Sequence, residues 1–239
     1  MIQTILWDVD GTLLDFLAAE KAAVQTLFRE FGLGECTDEM VEQYSDINKV
    51  YWEKLERKEL SKPEILVGRF HDFFAEVGVD TSLAPEFNDR YQVRLGDTIV
   101  YHDDSYEIVK SLHGRVQQYA VSNGTVVAQM KKLKNSGLGE LMDGIFLSEE
   151  VGAEKPSPEF FEPVFERIGP VDKSEVLIVG DSLTSDIRGG NNVGIPTCWY
   201  NPTHSPRKGD VKIDYEIDDL HQIEKILNGQ MVPEKTATP

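Results

Sequence analysis

The sequence predicts an α/β fold, a Rossmann-like parallel sheet core with helices on both faces and an inserted helical cap. Three observations lead there. Short apolar runs, of the kind found in strands buried on both faces, alternate with helically spaced segments through the second part of the 239-residue chain. One further run, Ile5-Leu6-Trp7, stands alone near the N-terminus. Between it and the alternating part, residues 16–95 carry helical spacing only.

Ile5-Leu6-Trp7 is the first strand, and it runs into a turn at Asp8-Val9-Asp10-Gly11. Leu17, Val24, Leu27, Phe28 and Phe31 then share one helical face, which stops at Gly32. Thr37 is placed to cap a second helix through Met40, Val41, Tyr44, Ile47, Tyr51, Trp52 and Leu55. A third carries Leu66, Phe70, Phe73, Phe74 and Val77 and ends at Gly78; a weaker fourth spans about 85–93. Helix and strand then alternate. Helices fall at 105–112, 126–136, 158–168, 185–193 and 220–227, and strands at 116–121, 144–147, 176–179, 197–200 and 215–217. The expected domains are therefore a core of 1–15 with 96–229, a cap of 16–95, and an unstructured polar tail of 230–239.

Composition excludes several classes of function. No run of about 18 apolar residues exists to span a membrane. The first strand begins at once, without a basic, apolar leader, so the expected location is the cytoplasm. Cys36 and Cys198 are too few and too far apart for a disulfide framework or a zinc site. A net charge of −18 repels nucleic-acid polymers and anionic membranes. A small phosphorylated substrate is still compatible, because salt screens distant charge over roughly 8–10 Å.

The acids point to chemistry. Asp8 and Asp10 face the same side of an extended segment, where two carboxylates resist joint ionisation unless a cation lies between them or one keeps its proton. Asp and Gly are also ordinary turn formers, so this pair alone decides nothing. A second acid pair, Asp181 and Asp186, follows the apolar run Val176-Leu177-Ile178-Val179. Ser122-Asn123-Gly124 ends another strand, and Lys155-Pro156 precedes a helix. In an open parallel sheet, loops beyond the carboxyl ends of the strands form the ligand crevice, and all four segments converge there.

Asp8-Val9-Asp10-Gly11-Thr12-Leu13, Ser122-Asn123-Gly124, Lys155-Pro156 and Gly180-Asp181-Ser182 with Asp186, in this order, resemble the signature motifs of the haloacid dehalogenase superfamily, mostly Mg-dependent phosphatases. The stretch 180–190, with Thr197-Cys198-Trp199-Tyr200-Asn201-Pro202, is similar to the pyrimidine 5'-nucleotidases that act on non-standard nucleotides. The resemblance implies that Asp8 attacks phosphorus and forms an aspartyl-phosphate, while Asp10 gives and then takes a proton. It implies Mg²⁺ held by the Asp8 and Asp181 carboxylates and the Asp10 backbone carbonyl, with Asp186 beside them. An all-oxygen set of this kind suits that hard cation. Lys155 and Ser122, with Asn123 and Gly124, would hold the phosphoryl group. The cap would close over the site, with Asn48, Trp52 and Arg69 against a pyrimidine and its sugar.

Other readings stand beside this one. The same resemblance admits a sugar-phosphate or phosphoglycolate phosphatase, or a phosphomutase. Ala120-Val121-Ser122-Asn123-Gly124 is a loose serine-hydrolase elbow, with His204 or His221 as partner, but that leaves both acid pairs without a role. Signalling receiver domains also gather acids, a hydroxyl and Lys-Pro at strand ends. They are about half this length, lack a helical insert, and usually carry adjacent rather than spaced first-strand acids. The five histidines show no metal-ligand spacing.

Overall fold

The computed structural model describes residues 1–233; the expectation of an unstructured tail falls outside the described residues from 234 onward. Two compact units are present: Met1–Asp15 with the chain from Tyr101 onward, and Phe16–Val100. The return crossing lies at 100/101, where the sequence reading puts it at 95/96. The chain does not turn away where its last long helix ends, because buried Leu95 and the Asp97 amide still bond back to Tyr91 and Arg94.

The first unit is built on a six-stranded, all-parallel sheet. Its strands are β1 (Thr4–Trp7), β2 (Gln117–Ser122), β3 (Gly144–Leu147), β4 (Val176–Gly180), β5 (Thr197–Tyr200) and β6 (Tyr215–Ile217), in the order β3-β2-β1-β4-β5-β6. β1 and β4 are buried along their whole length, which is why they read as continuous apolar runs. Leu6 is in register with Tyr119 on one side and Ile178 on the other. The strand order reverses between β1 and β4, so the loops after these two strands open the crevice in which such sheets bind ligands. Among the described residues no helix is long and apolar enough to cross a membrane.

The second unit holds α1 (Phe16–Glu30), α2 (Asp38–Glu56), α3 (Lys62–Val77) and α4 (Ala84–Arg94). Thr37 Oγ1 accepts the Met40 amide at the start of α2, and Glu64 accepts the Ser61 amide at the start of α3. Its core is aromatic: Tyr44 stacks on Phe70 at 4.8 Å, and Phe87 meets Phe28 and Phe74 edge-on. The buried face of α1 differs from the expected one. Leu17 is 63% exposed, and Ala19, Glu20 and Ala23 take the inner positions with Val24, Leu27 and Phe28.

Glu20 faces inward because a polar network receives it. Asn48 Nδ2 donates to Glu20 Oε2 at 2.8 Å, Arg69 Nη1 to Asn48 Oδ1 at 2.7 Å, and Arg69 Nη2 to Asn88 Oδ1 at 3.2 Å. Ser45 and Tyr91 also donate to Glu20. Burial pushes the Glu20 carboxyl above its ordinary range, against the pull of these donors and the Arg69 charge.

Back in the first unit, the helices are α5 (Ser105–Leu112), α6 (Val126–Asn135), α7 (Ser148–Val151), α8 (Pro158–Ile168), α9 (Arg188–Val193) and α10 (Ile223–Leu227). The entry to α5 is strained. Asp103 and Asp104 both have left-handed backbones, with φ of 44° and 55°. Asp103 compensates, since its Oδ2 accepts from Tyr200 Oη at 2.8 Å and the Leu220 amide at 3.0 Å, whereas Asp104 makes no side-chain capping bond. Asp104→Gly is therefore expected to leave thermal stability unchanged or raise it by up to about 1 kcal/mol, while Asp103→Gly lowers it by about 1–2 kcal/mol. Melting curves of the two variants check this; a clear loss in Asp104→Gly would remove the strain argument.

Candidate active site at the carboxyl edge of the sheet

β1 delivers Asp8, β2 delivers Ser122 and β4 delivers Asp181, each just at or beyond the carboxyl end of its strand. Asp186 arrives differently from the expected helix start. The segment Leu183–Ile187 forms a wide turn in which the amides of Asp186 and Ile187 both reach the Ser182 carbonyl, and α9 begins only at Arg188. Such widened turns recur at functional positions because they re-aim a side chain. Here the turn sends Asp186 back toward Gly180, where a Cβ would lie 2.3 Å from the Asp186 Cγ, so only glycine fits. A Cβ on Gly11 would likewise meet Asp181 at 2.7 Å.

Carboxylate oxygens of Asp8, Asp181 and Asp186 thus come within 4.8 Å of one another. Lys155 joins them from the loop before α8, donating to Asp8 Oδ1 at 2.7 Å, Asp186 Oδ1 at 2.6 Å and the Val121 carbonyl at 2.8 Å. Three carboxyl groups, Asp8 and Asp186 buried and Asp181 exposed, face this one ammonium. Burial, and then the neighbouring acids, push Asp8 up to about 7 despite Lys155, and push Asp181 well above the carboxylate range. Burial alone would lower Lys155; the charges of Asp186 and Asp8 outweigh it and raise the ammonium above its usual range. Oxygen-only donors, three acids against one ammonium and glycines that open the space fit a hard divalent cation.

The remaining expected residues divide. Asn123 is committed to Lys155: its Oδ1 accepts the Lys155 amide at 2.8 Å and its Nδ2 donates to the Lys155 carbonyl at 2.9 Å, which pins the loop that carries the ammonium. Ser122 Oγ accepts the Gly124 amide at 3.0 Å. The Asp10 carboxylate lies outside the three-acid group and is held by Gln129 and Lys132 of α6. Trp52 is half-buried on α2. Asn48 and Arg69 correct the expectation of substrate contacts, because both are buried with their polar atoms spent inside the helical unit. His204 and His221 pair with Asp218 and Asp219, not with Ser122, which leaves the serine-hydrolase elbow without its base.

Several site residues escape sequence reasoning. Thr12 Oγ1 lies 3.1 Å from Asp8 Oδ2 and accepts the Asp181 amide at 3.1 Å, so one hydroxyl ties the two strand-end loops. Trp199 Nε1 donates to the Asp181 carbonyl at 2.8 Å. Lys132 sits in the run Lys131-Lys132-Leu133-Lys134, which looks like a solvated helix face. The available signal was its i,i+3 spacing from Gln129 on a helix that starts from the Ser122 turn.

With this geometry in hand, comparison with known proteins is direct. The crystal structure of YfnB from Bacillus subtilis, bound to magnesium, superposes with a TM-score of 0.88 at 35% identity, covering 95% of this chain and 99% of that one. The pyrimidine 5'-nucleotidase PynA of Streptococcus pneumoniae is 36% identical over 89% of this chain and 90% of its own. The pyrimidine 5'-nucleotidase YjjG of Escherichia coli is 27% identical over 93% and 96%. A family model matches residues 5–200, spanning Asp8, Asp10, Lys155, Asp181 and Asp186. The chain belongs to the haloacid dehalogenase-like hydrolases.

Proposed function

We propose that this hydrolase is a Mg²⁺-dependent phosphomonoesterase that acts on pyrimidine nucleoside 5'-monophosphates through a phosphorylated Asp8. The observation that carries the reading is the group of Asp8, Asp181 and Asp186, three acids facing the ammonium of Lys155. Asp8, Asp181 and the Asp10 backbone carbonyl would hold the ion, with Asp186 supporting. When bound, Mg²⁺ supplies positive charge that offsets these acids and the phosphoryl oxygens.

The protein's own groups do the rest. An Asp8 oxygen attacks phosphorus while the Asp10 carboxyl gives its proton to the departing sugar oxygen. Water then attacks the aspartyl-phosphate, its proton passes to Asp10, and inorganic phosphate leaves. Lys155 keeps Asp8 aimed and screens it from Asp186, and Ser122 with nearby amides receives the phosphoryl oxygens. Asn123 serves by fixing Lys155.

The pyrimidine preference rests on the likeness to PynA and YjjG. Phosphate release is measured for uridine, deoxyuridine and purine monophosphates and for sugar phosphates, with Mg²⁺ and with EDTA. Chelation is expected to abolish turnover and Mg²⁺ to restore it, with pyrimidines at least about tenfold better than purines. Equal rates on sugar phosphates would withdraw the nucleotide assignment, and turnover in EDTA would withdraw the metal.

A further inference from the structure

Gln129 and Lys132 lie one turn apart on the inner face of α6, and each is 1% exposed. Gln129 Nε2 donates to Asp10 Oδ2 at 2.5 Å, and Lys132 Nζ to Asp10 Oδ1 at 2.5 Å. Each carboxylate oxygen therefore has its own donor. Asp10 is still partly open, with 23% of its side chain exposed, so the clamped group can meet a substrate.

Two details show that the neighbourhood accommodates this contact. A Cβ on Gly124 would lie 2.3 Å from Gln129 Nε2, so the glycine makes the room that the amide uses. Gln129 Oε1 is buried without a hydrogen-bond partner. The amide is thus committed to Asp10 through its nitrogen alone.

We infer that Gln129 and Lys132 are positioning residues that fix the Asp10 carboxyl in the orientation needed for both of its proton transfers. The inference rests on the phosphatase reading above. In the first half-reaction an Asp8 oxygen bonds to phosphorus, the ester P–O bond breaks, and the leaving oxygen takes the Asp10 proton. In the second, a water oxygen bonds to phosphorus, the Asp8–phosphorus bond breaks, and the water proton goes to Asp10, which restores both acids. Misplacing a proton-transfer group by about 1 Å can cost on the order of 10²-fold in rate.

The test compares Lys132→Met and Gln129→Met with the unaltered protein on uridine monophosphate and on p-nitrophenyl phosphate, both with Mg²⁺. The nucleoside oxygen needs a proton to leave, whereas the aryl oxide does not. On the nucleotide, kcat is expected to fall about 10²-fold with KM within about threefold. On the aryl ester, nitrophenolate appears in a burst of one per enzyme and then slowly, while acid quenching traps phosphorylated protein. Lys132→Arg keeps a donor and recovers part of the nucleotide kcat.

Unchanged kcat in both methionine variants overturns the inference and leaves the phosphatase reading intact. So does an equal loss on both esters, without a burst and with a lowered melting temperature, which is the mark of a purely structural role. Should Lys132→Met fail to fold, Gln129→Met decides alone. If the unaltered protein releases phosphate from neither ester, the phosphatase reading fails and the inference falls with it.

Discussion

Asp8→Asn is expected to abolish phosphomonoester hydrolysis, by on the order of 10⁴-fold or more, and at the same time to make the metal-free protein more resistant to heat. The activity loss follows from removing the only atom proposed to attack phosphorus, since an amide oxygen is a far weaker nucleophile than a carboxylate. The gain in stability follows from where Asp8 sits. It is 7% exposed beside Asp181 and Asp186, and burial moves its carboxyl from an ordinary 3.8 up to about 7. A carboxyl whose pKa is higher folded than unfolded favours the native state in acid. That contribution is lost as pH rises through the folded value. An asparagine does not titrate, so the variant's advantage should be small near pH 4 and largest above pH 7. Melting curves in EDTA at both ends of this range, with phosphate release measured beside them, check the two halves separately. A folded, active Asp8→Asn would remove the mechanism, and a variant less stable at high pH would remove the electrostatic account of the site.

The second large effect belongs to the helical unit. Arg69→Met should cost about 3–5 kcal/mol, because it leaves the buried Asn48 oxygen without its donor and takes the nearby positive charge away from buried Glu20. For a chain of this length that corresponds to a fall in melting temperature of roughly 10 °C or more. Arg69 is 1% exposed and Glu20 is fully buried, with Asn48 bridging them, so water does not replace the lost charge. Glu20→Gln added to Arg69→Met should recover more than half of the loss, since an amide keeps the shape and brings no charge. If Arg69→Met instead melted like the unaltered protein and only raised KM, Arg69 would return as a substrate contact.

The parts of the site that were legible in the sequence share a physical cause. Asp8, Ser122, Lys155 and Asp181 hang at or just beyond parallel strands or in the loops that follow them, and a buried strand announces its end through an apolar run followed by polar turn residues. The illegible parts depend on tertiary aim. Asn48 and Arg69 lie at helical positions where either a ligand or an internal partner would explain a polar side chain, and only the position of Glu20 decides between them. The sequence pattern gave no warning of Glu20, because a carboxylate on the buried face of α1 is tolerated only by donors arriving from α2 and α4. The acid pattern marks Asp186 but not the route by which its side chain arrives. A wide turn at Leu183–Ile187 has the same composition as the first turn of a helix. Lys132 was hidden by its own neighbours, whose exposed charges set the character of the run.

The two crossings between the units meet at a single knot. Leu14 bridges Tyr101 antiparallel, and the His102 amide and Ser105 hydroxyl both bond to the Leu13 carbonyl. Everything from Phe16 to Val100 therefore leaves and re-enters the chain through one tied gate, and β1 and β2 pair within the first unit. Such a base behaves like a socket: helices of another length or composition could be plugged in at Leu14 and Tyr101 while the strands that carry the acids stay as they are.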